Sequence, residues 1–163
     1  MLVTRHQGKV RGYLRHLTRN PAVADDLAQE TFIRAWDKLA SFSGKGSFLS
    51  WLLAIAHKQF LQSLRKDKRD QRLLSEIEND PGQDAGASFR SGSGNEELAD
   101  LPALLAALSE PERTTLVLAY GYGLSHAEIR EATGMAPGTI KSHIHRGKAK
   151  IRERFAPERI EHE

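Results

Sequence analysis

Between Asp80 and Asn95 the chain reads DPGQDAGASFRSGSGN, rich in Gly, Ser and Asp, with one isolated aromatic, Phe89. Such a stretch can bury too little apolar surface to offset the entropy of ordering it, so it reads as a flexible linker. That one feature argues against a single continuous core for these 163 residues. It leaves an N-terminal unit of about Thr4 to Arg72 and a C-terminal one of about Leu98 to Phe155, each small enough to be marginally stable alone. On both sides apolar residues recur at spacings of three and four. No run of period two and no long β-branched run suggests a strand, and no internal repeat is visible. The expected fold class is all-α: two small helical domains joined by a flexible linker.

In the N-terminal unit a first helix is expected from near Thr4 to Leu17, with Val10, Tyr13, Leu14 and Leu17 on its apolar side. Asn20-Pro21 restarts the chain, since Asn caps a helix and Pro fits its first turn. The second helix carries Leu27, Thr31, Phe32, Ala35, Trp36 and Leu39 on one side and Asp25, Gln29, Arg34 and Asp37 on the other. Ser43-Gly44-Lys45-Gly46 ends it. A third helix is expected over about Ser47 to Arg69, apolar at Phe48, Trp51, Leu52, Ile55, Phe60 and Leu64. It closes in the basic run Arg65, Lys66, Lys68, Arg69 and Arg72. Cations near a helix C-terminus complement its dipole, so part of that run has a structural explanation.

The C-terminal unit opens with Leu98 to Leu108. Ser109 with Glu112, and Ser125 with Glu128, are capping-box patterns. The turn Thr133-Gly134-Met135 precedes a final helix from near Pro137, so two helices meet across a Gly-containing turn as in a helix-turn-helix. On the final helix Ile140, Ile144, Gly147, Ile151 and Phe155 share one face, which should be buried. The opposite face holds Gly138, Ser142, His145 and Arg146; Lys141, Lys148 and Arg152 lie on one flank, Thr139 and Lys150 on the other. A basic, hydroxyl-bearing surface over an apolar stripe suits a DNA major groove, where Arg and Lys reach guanine edges and Ser, Thr and Lys hold phosphates. The N–H groups at Gly138-Thr139 could also meet a phosphate. An ordinary amphipathic surface helix is the competing reading.

Charge supports a polyanionic partner without proving one. Residues 1–72 hold 14 basic and 6 acidic side chains, residues 73–112 hold 1 and 9, and residues 113–163 hold 9 and 6. Two basic blocks therefore flank an acidic one, an arrangement that suits phosphates and would equally serve as solvated surface. There is no cysteine, which excludes disulfides and thiolate metal sites and is compatible with a reducing cytosol. No apolar stretch approaches a bilayer span and no secretory signal is visible, so a cytoplasmic protein with no membrane contact of its own is expected. The seven histidines form no metal motif, and there is neither a phosphate-binding glycine loop nor a nucleophile elbow. Neither an enzyme nor a cofactor is expected.

The segment GLSHAEIREATGMAPGTIKSHIHRGKAKIRERF, with GTIKS at Gly138 to Ser142 as its most characteristic part, resembles promoter-reading region 4 of the extracytoplasmic-function (ECF) sigma factors of bacterial RNA polymerase. DDLAQETFIRAW at Asp25 to Trp36 resembles region 2.2, and SFLSWLLAIAH at Ser47 to His57 resembles region 2.3 entering 2.4. The likeness covers nearly the whole chain. Region 4 by itself is shared with other helix-turn-helix proteins; the two regions in this order are far more specific. The resemblance implies a region 2 bundle of three or four helices over 1–72, a flexible acidic linker over 73–97, and a region 4 helix-turn-helix over 98–163.

The resemblance further implies roles. Asp25, Asp26, Gln29, Glu30 and Arg34 would contact the β′ clamp of core RNA polymerase, with Phe32 and Trp36 packing mostly inside. Lys45, Ser47, Phe48, Ser50, His57, Lys58, Arg65 and Lys66 would capture a strand of the −10 element, whose unstacked bases need a pocket and nearby cations. Trp51 reads as core. Gly138, Thr139, Lys141, Ser142, His145, Arg146 and Lys148 would read the −35 element as duplex. The polymerase β flap and an anti-sigma factor complete the implied partners. The short N-terminus implies a clipped first family helix. Lys58 stands where the family has Asn, Gln62 where it has an acidic residue, Arg130 where it has a small Ala, and Ala136 where it has a capping Ser. At position 130 two outcomes are open: the arginine turns outward, or the helices cross more widely. Two other functions are weighed against a sigma factor: a stand-alone helix-turn-helix regulator, and a sigma-like protein that sequesters an anti-sigma factor.

Overall fold

The computed structural model describes residues 2–77, 101 and 103–155. The expected linker at Asp80 to Asn95 with Phe89, the start of the C-terminal unit at Leu98, and the Phe155 side chain lie outside the described residues. Contacts group the chain into two compact units, one of Met1–Ser43 with Leu52–Arg90 and one of Gly44–Trp51 with Ser91–Glu163. Among the described residues every regular element is helical, and no helix is long and apolar enough to cross a membrane.

In the first unit α1 (Leu2–Thr18) buries Val10, Tyr13, Leu14 and Leu17 as its spacing predicts. It ends at Arg19, whose φ of 55° is left-handed, a conformation that stops a helix but strains a residue with a Cβ. Asn20 then caps α2 (Pro21–Asp37), its side chain accepting from the Ala22 and Val23 N–H groups at 3.1 and 3.3 Å. The inward face of α2 differs from the expected one. Ala24, Ala28, Thr31 and Ala35 are buried, Leu27 and Phe32 are half-buried, and Trp36 and Leu39 are exposed. Small side chains let α2 lie close against α1, and that close approach leaves no room for an indole between them. Thr31 is tolerated there because its hydroxyl donates to the Leu27 carbonyl at 2.7 Å.

A short 3-10 turn (Leu39–Ser41) leads to Gly44 and Gly46, both with φ above +70°, where a Cβ would be strained. Ser47 then caps α3 (Phe48–Ile77), accepting from the Ser50 N–H at 3.0 Å. This helix runs well past the expected end at Arg69, and residues 73–77, assigned to the linker from sequence, are its last turns. The basic run Arg65–Arg69 is therefore more than a turn from the C-terminus, and no basic residue occupies the last turn. The dipole explanation fails for it, because that effect fades within one turn.

In the second unit residues 103–106 are helical. The buried Arg113 guanidinium donates to the Leu105 and Leu108 carbonyls at 2.9 and 3.0 Å, a cation at the end of that helix where the dipole favours one. Both capping boxes form: Ser109 with Glu112 opens α4 (Glu110–Leu116), and Ser125 with Glu128 opens α5 (His126–Thr133). Between them Val117–Gly121 is a π-helical turn, which the periodicity of the sequence does not announce. Gly134 ends α5 in the left-handed conformation, φ 76°, and α6 (Pro137–Phe155) follows. Leu116, Leu118, Leu124, Ile129, Ile140 and Ile144 form the core.

Gly147 fixes how close α6 comes to α4. A Cβ there would sit 2.5 Å from Leu116 Cδ1 and 3.3 Å from Leu116 Cγ. Gly147→Val is expected to lower unfolding stability by about 1–3 kcal/mol through overpacking, measured by denaturant titration. Combined with Leu116→Ala, it should cost less than the sum of the two single changes; strict additivity would sink the steric explanation.

Candidate functional site

The surface of α6 divides as its spacing predicts. Ile140 and Ile144 are buried, Gly147 is buried and Ile151 half-buried, whereas Gly138, Thr139, Lys141, Ser142, His145 and Arg146 are exposed together on the outer side. The Arg146 guanidinium lies 3.3 Å from His143 Nδ1 and donates to the Ser142 carbonyl at 3.4 Å. Lys148 is half-buried, its ammonium 4.7 Å from the centroid of the Tyr120 ring, a cation–π contact that holds it beside the π-helical turn. Lys150 belongs to the scaffold: its ammonium is 2.8 Å from the buried Glu112 carboxylate. Burial alone would raise Glu112, but Lys150 and the Ser109 N–H and hydroxyl outweigh it and hold the carboxyl below its usual range. One side chain thus caps α4 and anchors α6, which presents the outer face at a fixed angle.

Ala136 cannot cap α6 with its side chain. The Ala136 carbonyl accepts from the Ile140 N–H at 3.0 Å, and Pro137 supplies a preorganised first turn in place of the missing hydroxyl. Arg130 is exposed on α5 and Ile129 and Ala132 face the core. Of the two outcomes open from sequence, the outward one holds.

On α3 the proposed −10 residues separate. Lys58, Arg65 and Lys66 are exposed, as is the departure Gln62. His57 is 2% exposed and is a core residue, contrary to the expectation that it meets DNA. Its Nδ1 lies 2.9 Å from the Tyr13 hydroxyl, tying α3 to α1, and burial pushes the imidazole down to about 4. Lys45 and Ser47 are exposed and Phe48 and Ser50 half-buried. Ser47 is occupied in capping α3, the Ser50 hydroxyl donates to the Ser47 carbonyl at 2.9 Å, and the Phe48 and Trp51 rings are 5.4 Å apart.

On α2 the Asp25 carboxylate is 3.7 and 3.5 Å from the Arg11 and Arg15 guanidiniums, and Glu30 pairs with Arg34 at 2.9 Å. Asp26 and Gln29 are exposed. The sequence reading missed the apolar part of this surface: Ile33 is 58% and Trp36 77% exposed. With Gln29 and half-buried Phe32 they occupy positions i, i+3, i+4 and i+7, one face of a helix. The recurrence of small residues at 24, 28, 31 and 35 was the available signal, since it marks the buried stripe and sends the large side chains outward. Among the described residues no group of His, Asp and Glu could hold a metal ion.

An exposed basic face on a helix-turn-helix, carried with a helical unit that shows an apolar helix face, is an arrangement that suits a DNA-binding protein with a protein partner. Residues 2–70 match the family described as Sigma-70 region 2, and residues 98–151 match Sigma-70, region 4. The chain is 29% identical to RNA polymerase sigma factor YlaC of Bacillus subtilis, covering 98% of this chain and 93% of the relative. It is 32% identical to the ECF RNA polymerase sigma-E factor of Haemophilus influenzae, covering 96% and 87%. The structure of the sigma factor RpoE in complex with the anti-sigma factor NepR from Bartonella quintana superposes with a TM-score of 0.78 at 25% identity over 96% of each chain. The chain belongs to the ECF sigma factors of the sigma-70 family. Its function is transcription initiation with RNA polymerase, and the family is not one of enzymes.

Proposed function

We propose that the outer face of α2 docks on the β′ clamp of core RNA polymerase, with Ile33 and Trp36 as apolar anchors. Asp26, Gln29 and the Glu30–Arg34 pair form the polar rim, and Asp25 acts chiefly by bracing α1. Charge-depleted aromatic anchors ringed by polar groups are what well-packed interfaces use. Exposed Lys58, Arg65 and Lys66 on α3 face the opened −10 element, with Lys45, Phe48 and Ser50 at the start of the helix. Gly138, Thr139, Lys141, Ser142, His145 and Arg146 on α6 enter the −35 major groove, with Lys148 at the edge. The observation that carries this reading is the division of α6, apolar inward and basic outward with the hydroxyls beside the cations. No bond is made or broken by the chain: contact energy drives strand separation.

The functional regions are 1–72 and 98–163, with α3 running on to Ile77 and the contact grouping differing in placing Gly44–Trp51 with the second unit. The β flap contacts the second unit. The protein works in the cytoplasm, where polymerase and promoter are. An anti-sigma factor holds it inactive, by analogy with the anti-sigma complex that superposes on it.

Run-off transcription from a bacterial promoter library, with core polymerase alone and with this chain added, tests the reading. New start sites that share two spaced elements are expected. Core binding without transcripts would favour a protein that sequesters an anti-sigma factor, and no core binding would leave only a helix-turn-helix regulator. In the same system Lys141→Ala with Arg146→Ala should reduce the salt slope of −35 binding by about two, roughly one per phosphate or base-edge cation removed. An unchanged slope would count against α6 as the reading helix.

A further inference from the structure

From Arg65 onward α3 is exposed on every side to Ile77, so its last thirteen residues stand clear of the core that buries Leu52, Leu53, Ile55, Ala56 and Phe60. From Lys58 to Arg72 charge is not scattered around the helix. At about 100° per residue, Lys58, Arg65, Arg69 and Arg72 fall within about 40° of a common line. Lys66 and Lys68 flank that line, Asp67 and Asp70 lie on the other side, and Glu76 falls on the line one turn past Arg72, where the cationic stripe ends. None of these six cations has an ion-pair partner among the described residues. The line runs about 21 Å from Lys58 to Arg72 at 1.5 Å per residue. It starts on the packed part of the helix and continues onto the free part without a break.

We infer that Arg69 and Arg72 bind backbone phosphates of the double-stranded promoter DNA immediately upstream of the −10 element, extending the contact of Lys58 and Arg65 onto the spacer. This rests on the reading of α3 as the helix that faces the −10 element. Three arguments carry it. First, the helix dipole cannot explain these cations, since the helix continues to Ile77. Second, every described residue of this arm is exposed, so packing gives no reason to gather the cations from Lys58 to Arg72 on one side, and a polyanion supplies one. Third, about 21 Å matches roughly six base pairs of duplex at 3.4 Å each, more than a single capture pocket for unstacked bases would use. The contact is to phosphate and carries no base preference of its own. It contributes affinity and register, and its strength falls with salt.

The test uses holoenzyme assembled from core polymerase and the full chain, with a promoter selected by run-off transcription. Two labelled templates are compared: one with duplex spacer upstream of the −10 element, and one that ends at the upstream edge of that element. Arg69→Ala with Arg72→Ala should flatten the salt slope by about two on the first template, with a several-fold loss of affinity at low salt, and leave binding to the second unchanged. Alanine keeps the helix, so the arm itself persists. An unaltered slope on the spacer template overturns the inference, as does an equal loss on both templates. Lys58→Ala with Arg65→Ala checks the underlying reading separately: it should weaken both templates, and if it affects neither, α3 does not face the −10 element whatever the other pair does. Asp67→Asn with Asp70→Asn should leave the slope unchanged; a steeper slope would mean that total charge, not the stripe, sets the binding.

Discussion

Trp36→Ala is expected to weaken binding to core RNA polymerase by about 2–4 kcal/mol, roughly 30- to 1000-fold, while leaving the thermal midpoint of the chain nearly where it was. Both effects follow from the 77% exposure of the indole. A side chain so exposed contributes little to the core, and surface substitutions generally stay within about 0.5 kcal/mol. On a partner's surface the same ring is the type of residue that dominates an interface once desolvated. Ile33→Ala should act in the same direction with a smaller effect. Titration of labelled core polymerase with each variant, beside a thermal melt, reads both quantities. If Trp36→Ala destabilises the chain and leaves polymerase affinity intact, the outer face of α2 is not the docking surface. Asp25→Ala separates bracing from contact: its carboxylate is shared between Arg11 and Arg15, so any loss of affinity there should come with a loss of stability.

The second large effect is a loss of stability in acid. Burial lowers His57 from 6.5 to about 4, so the folded core keeps a neutral imidazole where the unfolded chain binds a proton. Below pH 6.5 the unfolded state therefore holds more protons, and stability falls as the pH drops toward 4. The full difference corresponds to about 3 kcal/mol, a large part of what a small helical unit possesses. His16, lowered by burial, and His6, lowered by burial and by the Lys9 and Arg5 charges, add to the slope in the same direction. His57→Gln retains an acceptor for the Tyr13 hydroxyl and does not titrate. Its melting temperature should vary less than the parent's between pH 6.5 and 4; parallel profiles for the two proteins would exclude His57 as the main source.

The sequence carried the second unit almost entirely. Two capping boxes, the glycine that ends α5 and the spacing of Ile140, Ile144 and Gly147 are local signals, and local signals suffice where a helix is short and its ends are chemically marked. The exposed face of α6 followed from the buried one by geometry alone. The π-helical turn escaped, because a single widened turn leaves no periodic trace.

In the first unit the same method failed at Trp36, at His57 and at the end of α3, each time for a reason that lies outside the segment concerned. Hydrophobicity assigned Trp36 to the core; the contact of α2 with α1 requires small residues and reversed that face. The family resemblance assigned His57 to the DNA; the Tyr13 hydroxyl, 44 positions away, gives the ring a buried partner. Composition ended α3 at its basic run, yet the helix continues to Ile77 with its side chains exposed. The sequence by itself determined that the chain is helical, where most of its helices begin, and which surface of α6 is basic. Only the tertiary structure decided which side chains of α2 and α3 face inward, because that choice depends on what each helix packs against.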